Sequence, residues 1–383
     1  MTSIYTITYP LNLSTPSHLW YAFKMKYLHA LNKIEHVGPQ KIKKLLAYFG
    51  NAQSIWQADL SQLNTALDGH KLAQKIWQEK SMLDPDAEWK NLERAQIRLI
   101  DLENPDYPAL LREAHNPPYL LYTRGQLDLN AYPAIAIVGS RKYSPYGEQL
   151  AASFAHDLAA AGFVVVSGLA LGIDAISHKS ALDAKGKTVA VLGSSIDEKN
   201  IYPRANLSLA HEIIAKDGLL LSDYPPETPA NNFTFPARNR IIAGLSLGTL
   251  VIEAGERSGA LITARMALEN NREVFAIPGS IFSENSIGTN NLIKSGAKLV
   301  NSIADILEEL NFSQQAKIET RPLRIAENKE EELILGVLSE TPLHIDTIGK
   351  LTRLGTAKTT SALTMMELKG WTKNIGGQNY ILF

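Results

Sequence analysis

Ala134-Ile135-Ala136-Ile137-Val138-Gly139-Ser140-Arg141-Lys142 passes from five apolar residues straight into a glycine, a hydroxyl and two cations. An unbroken apolar run without polar alternation is what a strand buried on both faces requires. Similar runs follow at Phe163 to Val166, Thr188 to Leu192, Leu219 to Leu221, Leu250 to Ile252 and Val274 to Ile277, with helical patterns between them. Strands that alternate with helices predict an α/β fold with an extended Rossmann-like, mostly parallel sheet. Ligands of such sheets bind beyond the carboxyl ends of the strands, so the loops there carry the functional reading.

Four of those loops share one chemistry. Gly139 allows close backbone approach, Ser140 and the N–H groups of the loop can face an anion, and Arg141, with Lys142 beside it, can grip a phosphate through two donors. A tight turn with an exposed arginine reads the same residues equally well. The next strand ends in Ser167-Gly168-Leu169-Ala170-Leu171-Gly172-Ile173-Asp174, a second glycine-rich loop. Asp174 is placed to cap the following helix and His178 lies one turn on, so both are read as structural. Phe235-Pro236-Ala237-Arg238-Asn239-Arg240 joins an aromatic that can stack a base to two arginines that can hold phosphates. The competing reading packs Phe235 in the core and pairs one arginine with Glu253. Ser258-Gly259 opens a further helix, Ser258 as cap and Gly259 leaving its start accessible, and Ile277-Pro278-Gly279 and Gly288-Thr289-Asn290 complete the rim.

On either side of the sheet region the pattern changes. Residues 1–24 show no clear periodicity and are read as an extension that need not fold, with Met25 an alternative start. Residues 25–95 form a helical domain, of helix-hairpin-helix or SAM-like kind, in which Ile34-Glu35-His36-Val37-Gly38-Pro39 turns between two helices. Lys33, Lys41, Lys43 and Lys44 there either assist a phosphate contact or are solvated. Residues 96–310 hold the sheet. Residues 311–329 mix Gln, Lys, Glu, Arg and Pro322 as a linker, and residues 330–383 have winged-helix order: helices at Glu331 to Leu338, Ile345 to Leu351 and Thr356 to Leu368, then a ribbon turning at Gly376-Gly377. Only Arg353, Lys358 and Lys369 lie near its third helix, so protein docking there is as good a reading as DNA.

The 383 residues call for two or three domains. Lys plus Arg number 38 against 39 acidic residues, so any nucleic-acid site must be a local patch. The absence of cysteine excludes disulfides, thiolate metal sites and a cysteine nucleophile. No secretory start and no membrane-spanning apolar run are evident, and a cytoplasmic location is expected.

The rim motifs, taken in order, resemble the DprA (Smf) family of bacterial DNA-processing proteins: Gly139-Ser140-Arg141, Ser167-Gly168-Leu169-Ala170, Gly172-Ile173-Asp174, the Phe235 to Arg240 segment, Ser258-Gly259-Ala260-Leu261-Ile262-Thr263 and Pro278-Gly279. Each is weak alone; the series with these spacings is specific. The resemblance implies a homodimer that binds single-stranded DNA with no cofactor and no metal, and helps load a RecA-type recombinase during natural transformation. Arg141 and the Phe235 to Arg240 segment, including Arg238, Asn239 and Arg240, are its implied DNA contacts, with Gly168, Ser258 and Gly259 on the same rim. The stretch from Leu192 to Pro203 is slightly longer than the family pattern, which leaves the role of Lys199 open.

The alternative is a nucleotide-processing enzyme of phosphoribohydrolase type. Glu253 precedes Ala254-Gly255, but the Pro-Gly-Gly-x-Gly-Thr run such enzymes need is missing. A dinucleotide fingerprint and a P-loop are missing too. A non-catalytic binder is therefore the preferred expectation, since fold alone does not assign function.

Overall fold

The computed structural model describes residues 16–69, 71–312, 328–339 and 341–382. The chain forms two compact units, Met1–Ala316 and Lys317–Phe383.

The larger unit is built on a sheet of β1 (Arg98–Asp101), β2 (Leu120–Gly125), β3 (Ala134–Val138), β4 (Val164–Ser167), β5 (Thr188–Val191), β6 (Leu219–Ser222), β7 (Gly248–Val251), β8 (Glu273–Ala276) and β9 (Lys298–Leu299). Their spatial order is β1-β2-β6-β5-β4-β3-β7-β8-β9. All neighbours from β6 to β9 run parallel, while β2 pairs antiparallel with both β1 and β6. The six strands expected from apolar runs are all present. β1, β2 and β9 were not legible as strands.

Alternate residues of β3 explain its unbroken apolarity: Ala134, Ala136 and Val138 enter one core and Ile135 and Ile137 another, on the opposite face. β4 divides likewise, Val164 and Val166 from Val165. Helices cover both faces: α7 (Ala109–Arg112), α8 (Pro145–Ala160), α9 (Ile173–Asp183), α10 (Leu207–Ala215), α11 (Thr234–Gly244), α12 (Gly259–Glu269), α13 (Ile287–Lys294) and α14 (Ile303–Glu309), preceded by α1 (Pro16–Lys33), α2 (Pro39–Phe49), α3 (Ala52–Gln57), α4 (Leu60–Ala66), α5 (Lys71–Lys80) and α6 (Pro85–Arg94). From β3 the chain winds outward through β4, β5 and β6, then returns to β7 and winds the other way through β8 and β9. A crevice opens at such a reversal, beyond the carboxyl ends of β3 and β7.

Two expectations are corrected and a third is narrowed. The extension placed at 1–24 is helical from Pro16, and Tyr21 donates its hydroxyl to the Leu99 carbonyl at 3.3 Å; residues 1–15 lie outside the described residues. The boundary at 95/96 does not separate one core from another, because Met25, Leu28 and Leu31 pack in one apolar cluster with Leu120, Tyr122 and Leu220 of the sheet. In the α1–α2 hairpin, where a phosphate contact and solvated lysines were both open readings, Lys33 is paired with Glu88 and Glu227 and Lys44 with Asp68, so two of the four lysines are committed to carboxylates.

The smaller unit contains α15 (Lys329–Leu335), β10 (Leu343–His344), α16 (Ile345–Thr352), α17 (Thr356–Leu368), β11 (Thr372–Asn374) and β12 (Asn379–Leu382), a winged-helix order around Ile334, Ile348, Leu363 and Met366. The linker read at 311–329 falls, over 313–327, outside the described residues. Lys358 and Lys369, on and just beyond the third helix, are tied to Glu330 and Glu331. Among the described residues no helix is long and apolar enough to cross a membrane.

Candidate nucleic-acid interface

The loops after β3 and β7, with the start of α11, line a cavity of about 550 Å³ in the crevice. Nine of the eleven residues singled out from sequence line it: Gly139, Ser140, Arg141, Lys142, Phe235, Arg238, Asn239, Ser258 and Gly259. Gly168 and Arg240 do not.

The β3 loop is locked from within. The Ser140 hydroxyl donates to the Lys142 carbonyl at 2.9 Å and accepts the Lys142 N–H at 3.0 Å, while Asn285 donates to the same carbonyl at 2.8 Å. Ser140 therefore shapes the loop that aims Arg141 and Lys142, both exposed, outward. Gly172 packs beneath it: with φ at +86°, any Cβ would stand 2.5 Å from the Ser140 carbonyl. The Arg141 guanidinium lies over the Phe235 ring, 5.4 Å from its centre. Arg141, Lys142 and Arg257 have no acidic partner among the described residues. The cavity is thus a small cationic site on a chain with no net basicity.

The start of α8, which follows the β3 loop, receives an anion from within the protein. Glu253, buried, accepts from the Ser144 N–H at 2.9 Å and the Ser144 hydroxyl at 2.5 Å, and Ser144 caps the helix by accepting from the Gly147 N–H. A carboxylate at a helix N-terminus is favourably placed, and no arginine pairs with it among the described residues. At α12 the cap is as expected: Ser258 accepts the Ala260 N–H at 3.3 Å, Gly259 stays exposed, and Asn239 holds the Gly259 carbonyl at 3.3 Å.

Arg238 and Arg240 differ most from expectation. Arg238 is 4% exposed, and its Nη1 donates to the carbonyls of Gly168, at 2.6 Å, and Val191. Burial, with the Arg141 charge nearby, lowers its pKa to about 10, although Asp174 works in the opposite direction. Arg238 ties the ends of β4 and β5 together at the cavity floor, where its Nη1 is committed to those carbonyls and its burial leaves it little reach to a phosphate. Arg240 is paired with Asp223 at 2.5 Å and donates to the Asn116 carbonyl at 2.9 Å.

The second glycine loop serves the same floor. Asp174 accepts from the N–H groups of Gly168 and Ala170, and Asn206 donates to the carbonyls of Leu169 and Ala170. His178 receives the Leu169 N–H on Nε2 and donates from Nδ1 to Thr188, whose hydroxyl is already committed to the Val165 carbonyl. This fixes one neutral tautomer, and burial depresses the His178 pKa to about 3. Leu169 is held at φ +57° by these contacts.

Sequence reasoning missed Asn232, Arg257 and Asn285 as members of the site. Arg257 carried a usable signal, an arginine directly before a helix cap at a strand's carboxyl end. Lys199 does not line the cavity. Among the described residues no group of three or more His, Asp or Glu is placed to hold a metal.

Fold and cavity define a doubly wound α/β protein with a cationic cavity at its switch point. Residues 98–311 match the family model of the DNA recombination-mediator protein A, and residues 319–378 that of the DprA winged helix domain. The chain belongs to the DprA (Smf) family. It is 34% identical to the protein Smf of Synechocystis sp., over 92% of this chain and 98% of that one, and 48% identical to the DNA processing protein DprA of Streptococcus pneumoniae, over 54% and 72%. The X-ray structure of the S. pneumoniae protein superposes with a TM-score of 0.65 at 38% identity, covering 74% of this chain and 97% of that one. A Helicobacter pylori DNA processing protein A, described for its single-stranded DNA binding mode, gives 0.50 at 32% identity, covering 56% and 96%.

Proposed function

We propose that this chain binds single-stranded DNA along the cavity rim, without catalysing a reaction on it, and passes the strand to a RecA-type recombinase in DNA uptake and recombination. The observation that carries the reading is Arg141 over Phe235 at the cavity mouth. A guanidinium with no acidic partner and an aromatic face, side by side, offer a phosphate and a base what each needs. Lys142 and Arg257 extend the charge. Glu253, which a phosphoribohydrolase-like reaction would enlist, has both oxygens engaged by Ser144. A cytoplasmic homodimer completes the proposal; Ile281 and Phe282, at 81% and 92% exposure, are the apolar surface it would cover.

The test is a fluorescence-anisotropy titration with labelled single and double strands across salt concentrations. Tight, salt-sensitive preference for the single strand supports the reading, and no binding at low salt sinks it. Light scattering reads the dimer, and strand exchange with a recombinase reads the loading step.

A further inference from the structure

Two aromatic residues next to the cavity lining, Tyr202 by ring contact with Phe235 and Phe233 by its place in the chain beside Asn232, are absent from the lining itself and have no role in the packing described above. Tyr202 is 49% exposed and its ring lies 5.7 Å from that of Phe235, tilted by 40°. Its backbone is fixed by the buried Ile201 before it and the short turn at Arg204–Asn206 after it. Phe233 is 86% exposed. It stands at the start of α11 between Asn232 and Phe235, both of which line the cavity.

Phe233 is held on a rigid turn. The Asn231 side chain accepts the N–H groups of Phe233 and Thr234 at 2.8 and 3.0 Å. The Thr234 hydroxyl accepts the Asn231 N–H and donates to the Asn231 carbonyl, both at 2.9 Å. A turn ordered by these hydrogen bonds that presents a phenyl ring to water gains nothing in stability from the ring. An exposed aromatic on an ordered turn next to the lining of a cationic cavity is suited to a flat apolar surface attached to a phosphate.

We infer that Tyr202 and Phe233 are base-stacking residues that continue the strand's path beyond Phe235, so that the site takes successive bases of an unpaired strand on aromatic faces and their phosphates on Arg141, Lys142 and Arg257. This rests on the single-strand reading above and adds a base-dependent, sequence-tolerant component to it. Duplex DNA, whose bases are already stacked, cannot use these faces, so they also account for strand selection.

The experiment compares two labelled strands with the same number of phosphates, one carrying bases and one abasic throughout, against the full-length wild type and Tyr202→Leu, Phe233→Leu and the double variant. Leucine keeps an apolar side chain and both positions are exposed, so folding is undisturbed; circular dichroism verifies this. Each variant is expected to bind the base-bearing strand about 5-fold or more weakly, as loss of one stacked base implies. The abasic strand and the slope of affinity against salt should not change, because no cation is altered. Base-bearing binding equal to wild type in the double variant overturns the inference, as does an equal loss on both strands. Failure of wild type to bind either strand would instead overturn the parent reading.

Discussion

The Nη1 of Arg238 donates to the Gly168 carbonyl at 2.6 Å, and a methyl group at Gly168 would lie 2.6 Å from that same nitrogen. The two positions are one unit: the arginine needs the glycine's missing side chain to reach the strand ends it ties together. Arg238→Ala leaves two carbonyls and the buried Asp174 uncompensated and should cost about 3 kcal/mol or more of stability. Gly168→Ala should cost about 1–3 kcal/mol by crowding. Urea denaturation measures both, and an Arg238→Ala protein as stable as wild type would refute the clamp.

Arg141 and Arg240 should separate cleanly in binding. Arg141→Ala is expected to weaken affinity about equally for unrelated single strands and to reduce the salt slope by about 0.7, the value for one phosphate contact on a single strand. Arg257→Ala should do likewise. Arg240→Ala should leave the slope intact and lower the unfolding midpoint, because it strands the Asp223 carboxylate. Anisotropy titrations over a range of salt concentrations distinguish the three.

Stability should fall on mild acidification. Burial holds both His29 and His178 near a pKa of about 3, against 6.5 unfolded. Between those values the unfolded chain takes up a proton that the folded chain refuses, so stability is lost as pH falls from 6.5 toward 3. At pH 5 this amounts to roughly 2 kcal/mol per histidine. Asp174 and Asp223, raised by burial, tilt the balance the other way at acid pH. The histidine effect is therefore read as the difference in slope between wild type and His178→Gln, which should be shallower by about half the histidine contribution; equal slopes would count against it.

Glu253→Gln should lower stability by about 1–2 kcal/mol, since the α8 N-terminus loses its internal anion. Single-strand affinity is expected to stay at the wild-type level. A hydrolytic activity toward nucleoside monophosphates, present in wild type and lost in this variant, would restore the enzyme reading.

The strands legible in the sequence were those buried on both faces, which carry apolar residues through most of their length without polar alternation. β1 and β2 carry Arg98, Asp101, Thr123 and Arg124 at or near their ends, and β9 is two exposed residues at an edge; pairing with neighbours makes them strands. The rim glycines, hydroxyls and Arg141 were legible for a similar reason, since loop chemistry next to a strand end is local.

What the sequence by itself determined was the parallel sheet, the positions of its rim loops and the residue types that an anion requires there. Those follow from periodicity and from contacts within a few residues. Only the tertiary structure decided which cations are free. Arg238 meets Gly168 and Val191, Arg240 meets Asp223, and Glu253 meets Ser144, and these partners are brought in by strands that lie apart in the chain. A buried charge or donor must find a partner wherever the fold supplies one, and that search is settled in space and not along the sequence.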